Sequence, residues 1–198
     1  MTRTGLALAV NVARARPVAI GARMVRTAIA KRPVTERVAV LPLGIEGDEQ
    51  ADPRVHGGVA KAVYAYPSEH YPFWRTVRAQ AGVSLWDDPL DAGALGENLT
   101  TQGIVENDLW IGDLLRFPSC VLAVSEPRTP CFKFDAAMGF AQASRMMAES
   151  GWCGAYLAVR EPGTIAAGDA FTLIPGPREI GIAEVFRART RRERSLAR

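Results

Sequence analysis

The sequence predicts a mainly β protein, α+β by content, in which a few helices pack on the outside of a β-barrel or strongly curved sheet. Two observations support this prediction. Short β-branched or alternating segments bounded by Gly and Pro recur along the chain, and few windows have helical periodicity. Because turn-rich loops converge at one end of a barrel, we expect the functional residues to lie in such loops.

The strand candidates are short and end at turn residues, which is typical of β-strands. In chain order they are LALAVNVA, RVAVLPLG, KAVYAYP, LLRFPSCVLAVSEP, GAYLAVREPG and DAFTLIPG. The fourth segment predicts a hairpin that turns near Pro118 and Ser119, where the proline leaves the register open. A further β-like segment, LTTQG, follows Asn98.

Three stretches predict helices. SEHYPFWRTVRAQAG has Ser68 as its expected N-cap and Gly82 as its end, with apolar and aromatic residues at helical spacing between them. FKFDAAMG predicts a short helix. AQASRMMAESG predicts a longer one that ends at Gly151.

We expect one main domain, a barrel over 1–175, and a short helical, basic tail over 176–198. With 198 residues and 48% hydrophobic content, the chain can bury one core. The apolar residues of the tail are expected to dock one helix: Ile180, Ile182, Val185 and Phe186. The basic excess lies at its end, FRARTRRERSLAR, where six Arg stand against one Glu.

Charge and cysteine content bear on compartment and partners. The net charge is +3, and because the basic tail supplies that excess, the body is near neutral and predicts no nucleic-acid surface. The three cysteines are odd in number and widely spaced, which favours a reducing, cytoplasmic setting over a disulfide framework. No apolar run approaches the roughly 18 residues of a membrane span, so no membrane association is expected.

The segment VSEPRTPCFKF places a cysteine, Cys131, between two cations. Arg128 lies three residues before it and Lys133 two residues after. Neighbouring cations favour thiolate, the form that attacks electrophiles and binds metals. The alternative is a buried structural cysteine in a turn, flanked by solvated charges.

A second loop contains His56, Gly57 and Gly58 followed by Lys61. Paired glycines let backbone N–H groups approach an anion closely, and the histidine can titrate near neutral pH. The same residues also suit a plain tight turn. The acidic run just upstream lacks the later ligand of a calcium loop, so we assign it to turn formation: Asp48, Glu49 and Asp52.

A third loop contains Glu97 and Asn98 after a Gly/Ala turn. A glutamate can move protons, and an asparagine can orient an oxyanion or a heterocycle edge, although Asn is also a routine turn residue. The chain has no Walker loop, dinucleotide-binding glycine fingerprint or GxSxG elbow. The common nucleotide-binding and hydrolase classes are therefore excluded.

These loops occur in an order that resembles the MOSC family, the domain also found at the C-terminus of molybdenum-cofactor sulfurases. The resemblance rests on GIEGDEQAD, VHGGVAKAVYAYPSEHYPFW, GALGENLTTQGI, VSEPRTPCFK and SGWCGAYLAVREPGTIAAGD. It extends from about Ala7 to Ile174. The chain most resembles the short stand-alone bacterial members linked to resistance to hydroxylaminopurine-type base analogues.

The resemblance implies a MOSC barrel, similar to the pyruvate-kinase barrel, and a molybdenum cofactor, Mo-molybdopterin, without any need for pyridoxal phosphate. It implies that Cys131 is the metal ligand and a catalytic residue. Cofactor contacts are implied for Arg128, Lys133, Asn98, Lys61, Gly57 and Gly58. His56 and Glu97 are the expected catalytic proton donors.

The implied activity is a molybdenum-dependent oxidoreductase that reduces small N-hydroxylated substrates such as N-hydroxylated purine bases. Electrons would come from an external donor protein of flavin or iron–sulfur type, because the chain shows no such motif of its own. Two alternatives stay open: a sulfur carrier with a persulfide on Cys131, and a non-catalytic cofactor-binding barrel. The resemblance leaves an oligomer possible. This chain has only a short tail where longer relatives have a helical extension, so the resemblance implies no role for that extension here.

Overall fold

A computed structural model describes residues 3–51 and 57–196 of the chain. Its main feature is a sheet in which seven strands close into a barrel, because the strands Arg3–Val12 and Ala170–Ile174 pair with each other. Around the barrel the strands are β1 (Arg3–Val12), β13 (Ala170–Ile174), β9 (Leu114–Arg116), β10 (Val121–Pro127), β11 (Ala155–Glu161), β7 (Val63–Pro67) and β8 (Leu99–Gln102). Closure removes the exposed edges that an open sheet would leave.

The strand β1 is long enough to close the barrel. Its first residues pair with β13 and its middle with β8, while its end pairs with the short strand β4 (Arg32–Val34). The register shifts by one residue between Ala7 and Ala9, which marks a bulge of the kind that bends a strand. Every pairing in the ring is antiparallel except that of β7 with β8.

Two smaller sheets extend from the barrel. One contains β5 (Val38–Leu41), β6 (Gly44–Ile45) and β12 (Gly163–Ile165). The other is a hairpin of β2 (Arg16–Ile20) and β3 (Arg23–Thr27), which pair only with each other and are largely exposed. The sequence prediction missed this hairpin.

Four α-helices lie in the described residues: α1 (Tyr71–Gln80), α2 (Phe132–Met138), α3 (Ala143–Ser150) and α4 (Ile182–Leu196). Short 3₁₀ turns cover Val59–Lys61, Ser68–His70 and Glu106–Asp108. Gly139 and Gly151 adopt the left-handed conformation that ends α2 and α3, as their sequence positions predict. The expectation that Ser68 caps α1 is wrong, because a 3₁₀ turn precedes the helix and no side-chain cap forms.

One continuous hydrophobic cluster joins the barrel and its helices. Trp74 of α1 is fully buried, lies edge-on to Phe134 of α2, and donates a 2.6 Å hydrogen bond to the Tyr66 hydroxyl of β7. These contacts fix α1 and α2 against β7, the neighbour of β8, which follows the third of the predicted loops. None of the helices in residues 3–51 and 57–196 has the length and apolar character needed to cross a bilayer.

The tail forms α4 and packs on the barrel. Ile182 and Phe186 are completely buried, as their apolar pattern predicts, whereas Ile180 is exposed. Arg189 forms a 2.9 Å ion pair with Glu126 of β10. This packing joins the tail to the body of the protein. The domain boundary expected at residue 175 stays a prediction.

Candidate active site

A cleft with about 650 Å³ of empty space, open to solvent, brings together residues from all three predicted loops. Lys61 comes from the second loop, Asn98 from the third, and Arg128, Cys131 and Lys133 from the cysteine segment. Their convergence follows from the fold: β7 and β8 are neighbours, and β10 leads directly to α2. Five of the sequence-predicted site residues therefore share one cleft.

Cys131 occupies the residue immediately before α2 and has extended backbone dihedral angles. Its carbonyl oxygen accepts hydrogen bonds from the Phe134 N–H at 2.7 Å and from Ser144 Oγ at 3.0 Å. These bonds fix the backbone while the side chain stays half-buried and lines the cleft. A thiol held in this way is accessible to a ligand in the cleft.

The other two cysteines are buried and do not line this cleft. Burial raises the pKa of Cys120 to about 11. Burial, reinforced by the charge of Glu106, raises the pKa of Cys153 well above its usual value. Both thiols are therefore protonated at neutral pH, which is typical of structural cysteines.

The guanidinium of Arg128 is buried in the wall of the cleft. It lies 5.0 Å from the ring centroid of Tyr64 and 4.8 Å from that of Phe134, within cation–π range. Its Nη1 also contacts the sulfur of Met147 at 3.7 Å. No carboxylate within the described residues forms an ion pair with it. A buried cation of this kind suits an anionic ligand.

Two lysines supply further positive charge to the cleft. Lys61 lies 3.8 Å from Glu126 and 5.8 Å from the ring centroid of Tyr156. Lys133 is half-buried on α2, with its Nζ 3.5 Å from the carbonyl oxygen of Arg26. Both ammonium groups are within the same cavity as Cys131, so they can attract an anion to the thiol.

Asn98 lines the cleft, but its amide is largely committed inside the protein. Its Oδ1 accepts from the Tyr64 N–H at 3.1 Å, and its Nδ2 donates to the Asn11 carbonyl at 3.2 Å and to Asp48 Oδ2 at 2.8 Å. Gly96 allows this loop to pass close to Ile29, because φ is +84° and a Cβ there would lie 2.8 Å from Ile29 Cγ1.

Sequence reasoning missed the role of Asp48 and Lys31, which form a buried ion pair in the cleft. Asp48 also accepts a 2.8 Å hydrogen bond from the Ala13 N–H. Burial lowers the pKa of Lys31, and Asp48 opposes that shift. The assignment of Asp48 to mere turn formation is therefore incomplete, because its carboxylate joins three segments of the chain. Gln50 and the rings of Tyr64 and Tyr156 also line the cleft without having been predicted.

Glu97 does not line the cleft. Its fully buried carboxylate accepts hydrogen bonds from the N–H groups of Gly93 and Leu95 at 2.8 and 3.1 Å, from Thr100 Oγ1 at 2.8 Å and from the Tyr71 hydroxyl. Burial raises its pKa, and these hydrogen bonds oppose the shift. The described contacts give Glu97 a structural role in the loop that carries Asn98.

The paired glycines do not line the cleft. Gly57 and Gly58 are not among the described residues that line it. The Gly58 N–H donates a 2.7 Å hydrogen bond to Oε1 of Gln50, which does line it. Gly58 has φ of +86°, a conformation that favours glycine. His56 lies outside the described residues, so its predicted role stays a prediction.

Comparison with known proteins relates this chain to a family. YiiM of Escherichia coli is 35% identical over 159 residues, which span 80% of this chain and 68% of that protein. A protein named "Reductase" from Gibberella moniliformis is 33% identical over 192 residues, 94% of this chain but only 33% of its own length. The crystal structure of YiiM from Geobacillus stearothermophilus superposes with a TM-score of 0.74 at 29% identity and covers 98% of this chain and 87% of that one.

The family model described as "MOSC domain" matches residues 52–172, more than half of the chain. This span contains Lys61, Asn98, Arg128, Cys131 and Lys133. The match confirms the resemblance inferred from the ordered loop motifs, and the closed barrel confirms the predicted fold class. This chain therefore belongs to the MOSC domain family.

Proposed function

We propose that this protein binds a molybdenum cofactor and reduces N-hydroxylated compounds, such as N-hydroxylated purine bases, with Cys131 as the protein ligand of molybdenum. One observation supports this most strongly. The half-buried Cys131 thiol shares a cleft with the buried Arg128 guanidinium, which has no carboxylate partner within the described residues. A relative's printed name, "Reductase", supports the reaction class.

The residues of the cleft fit a molybdenum-bearing pterin. A thiolate is a soft ligand for a transition metal, so Cys131 suits the metal. Arg128, Lys61 and Lys133 suit the negative charge of a pterin phosphate.

The proposed reaction converts R–NHOH, two electrons and two protons into R–NH₂ and water. When bound, the cofactor would supply the two electrons that cleave the N–O bond. The protein's own residues hold and orient the reactants: Cys131 anchors the metal, and Arg128 and Lys133 retain the anion. The electrons come from an external donor protein of flavin or iron–sulfur type. His56 remains the proposed proton donor.

The test is metal and pterin analysis of protein made in a host that synthesises molybdenum cofactor. We expect about one molybdenum and one pterin per chain, and reduction of N6-hydroxyadenine by a chemically reduced dye. Protein that carries the cofactor but shows no turnover, while a persulfide on Cys131 passes readily to acceptor thiols, would make the sulfur-carrier function the better one. Cofactor without either activity would leave a non-catalytic binding barrel.

A further inference from the structure

A second and larger chamber adjoins the cofactor cleft. It has about 1510 Å³ of empty space, is open to solvent, and shares part of its wall with the cleft, including Thr27, Lys31 and Lys133. The β2–β3 hairpin forms one side and α2 another. Lys133 lines both spaces and lies two residues after Cys131, so the chamber adjoins the part of the cleft that contains the thiol.

The chamber has apolar walls on opposite elements. Val18 and Ile20 come from β2, Leu90 from the loop after α1, and Ala136 from α2. Apolar side chains of this kind are typical of small-molecule pockets and can pack against a heterocyclic ring. The chamber can therefore hold a planar base between the hairpin and α2, next to the cleft.

The polar part of the chamber is cationic. Its wall contains six cations and two carboxylates: Arg14, Arg16, Lys31, Arg32, Arg78 and Lys133 against Asp88 and Asp91. Three of the cations already have carboxylate partners, since Arg14 pairs with Glu49, Lys31 with Asp48 and Arg32 with Asp91. The remaining three, Arg16, Arg78 and Lys133, form no ion pair with a carboxylate among the described residues.

Arg16 and Arg78 are the two chamber arginines with no ion pair in residues 3–51 and 57–196. Arg78 is half-buried on α1, and its Nε donates to the Met138 carbonyl at 3.3 Å. Arg16 is exposed at the base of the hairpin, opposite Thr27. Two arginine side chains on separate walls of one chamber match a phosphate group, which accepts charge-assisted hydrogen bonds.

We infer that this chamber binds the substrate in phosphorylated form, as the 5′-monophosphate of an N-hydroxylated nucleoside. The base lies between the apolar walls with its N–OH group toward the cleft, and the phosphate lies against Arg16 and Arg78. A neutral free base would leave both arginines without an anion. The inference rests on the proposed function for the chemistry, but not for the nucleotide binding itself.

Binding of product-like nucleotides tests the inference without turnover. Calorimetry with the cofactor-loaded protein compares adenosine 5′-monophosphate with adenosine. We expect the monophosphate to bind at least about tenfold more tightly, and Arg16→Gln to remove about that factor while the affinity for adenosine is unchanged. Arg187→Gln, which removes an exposed charge on α4 outside the chamber, is the matched control and should change neither affinity. Equal affinity of the wild type for both ligands, or an unchanged Arg16→Gln variant, overturns the inference.

Kinetics separate this inference from the proposed function. The KM of the wild type should be lower for N6-hydroxyadenosine 5′-monophosphate than for N6-hydroxyadenine. The Arg16→Gln substitution should raise the KM for the monophosphate and leave the KM for the free base unchanged. If the free base is reduced with the lower KM, the inference fails and the reductase stands. If neither compound is reduced but adenosine 5′-monophosphate binds in an Arg16-dependent way, the nucleotide-binding chamber is supported and the reductase function is contradicted.

Discussion

The side-chain amide of Asn98 donates a 2.8 Å hydrogen bond to Oδ2 of Asp48, across 50 positions of sequence. Asp48 in turn pairs with Lys31 and accepts from the Ala13 N–H. The cleft is therefore built on a buried polar network that joins β1, the loop before β4 and the loop before β8.

Lys31→Met should destabilise the protein by about 3–5 kcal/mol, because it leaves the buried Asp48 carboxylate without its cation. The free energy of unfolding from urea titration measures this loss. The control is Arg145→Ala, which breaks an exposed pair with Glu149 and should leave the free energy of unfolding close to that of the wild type. If both variants cost equally little, the Lys31–Asp48 pair does not hold the cleft together.

Glu97→Gln should act on stability rather than on chemistry. The amide replaces one of the two accepting oxygens, so the N–H of Gly93 or of Leu95 loses its acceptor, at a cost of about 1–3 kcal/mol in the free energy of unfolding. The reduction rate per bound molybdenum should stay near that of the wild type. A variant with unchanged stability and lost turnover would instead make Glu97 the catalytic proton donor.

Thiol labelling should distinguish the three cysteines in the cofactor-free folded protein. Iodoacetamide should modify Cys131 first, because it is the half-exposed one. Burial raises the pKa of Cys120 to about 11, so its reactive thiolate forms only as the pH approaches that value. Peptide mass spectrometry over a pH series follows each site. Labelling of Cys120 ahead of Cys131 at pH 8 would contradict the assignment of Cys131 as the accessible thiol.

Lys133→Ala should weaken retention of the cofactor without removing the ability to react. One charge-assisted contact is lost, worth about 1.5–3 kcal/mol when well formed. Molybdenum content after gel filtration should fall, and activity should recover at least partly with excess cofactor. Arg187→Ala provides the matched control, and its molybdenum content should equal that of the wild type. Activity that does not recover in the Lys133 variant would give Lys133 a direct part in the reaction.

The barrel could be predicted because its strands are short, apolar and separated by Gly and Pro. The β2–β3 hairpin could not, for a physical reason: both strands pair only with each other and are largely exposed, so their only apolar face, with Val18 and Ile20, is short and half-buried. RPVAI and RMVRT therefore carry arginines where a packed strand would carry apolar residues. The same exposure lets Arg16 face the second chamber.

The candidate site likewise contains residues that the sequence could predict and residues that it could not. Arg128, Cys131 and Lys133 were predictable because they lie within one short segment, where the spacing of charge and thiol is visible. Asp48 acquires its role only through partners far along the chain, at separations of 17 and 50 residues. A single sequence shows no such pairing, and an acidic residue in a Gly-rich run also fits an ordinary turn.

Serine variants of the three cysteines test whether Cys131 is the protein ligand of molybdenum. Molybdenum and pterin per chain, and turnover of N6-hydroxyadenine with a reduced dye, should be measured in Cys120→Ser, Cys131→Ser and Cys153→Ser. Cys131→Ser should show no turnover even where pterin remains bound, because a hard hydroxyl replaces a soft ligand. The other two variants should keep their molybdenum and their turnover per bound metal. Wild-type turnover per molybdenum in Cys131→Ser, or equal losses in all three, would contradict the account.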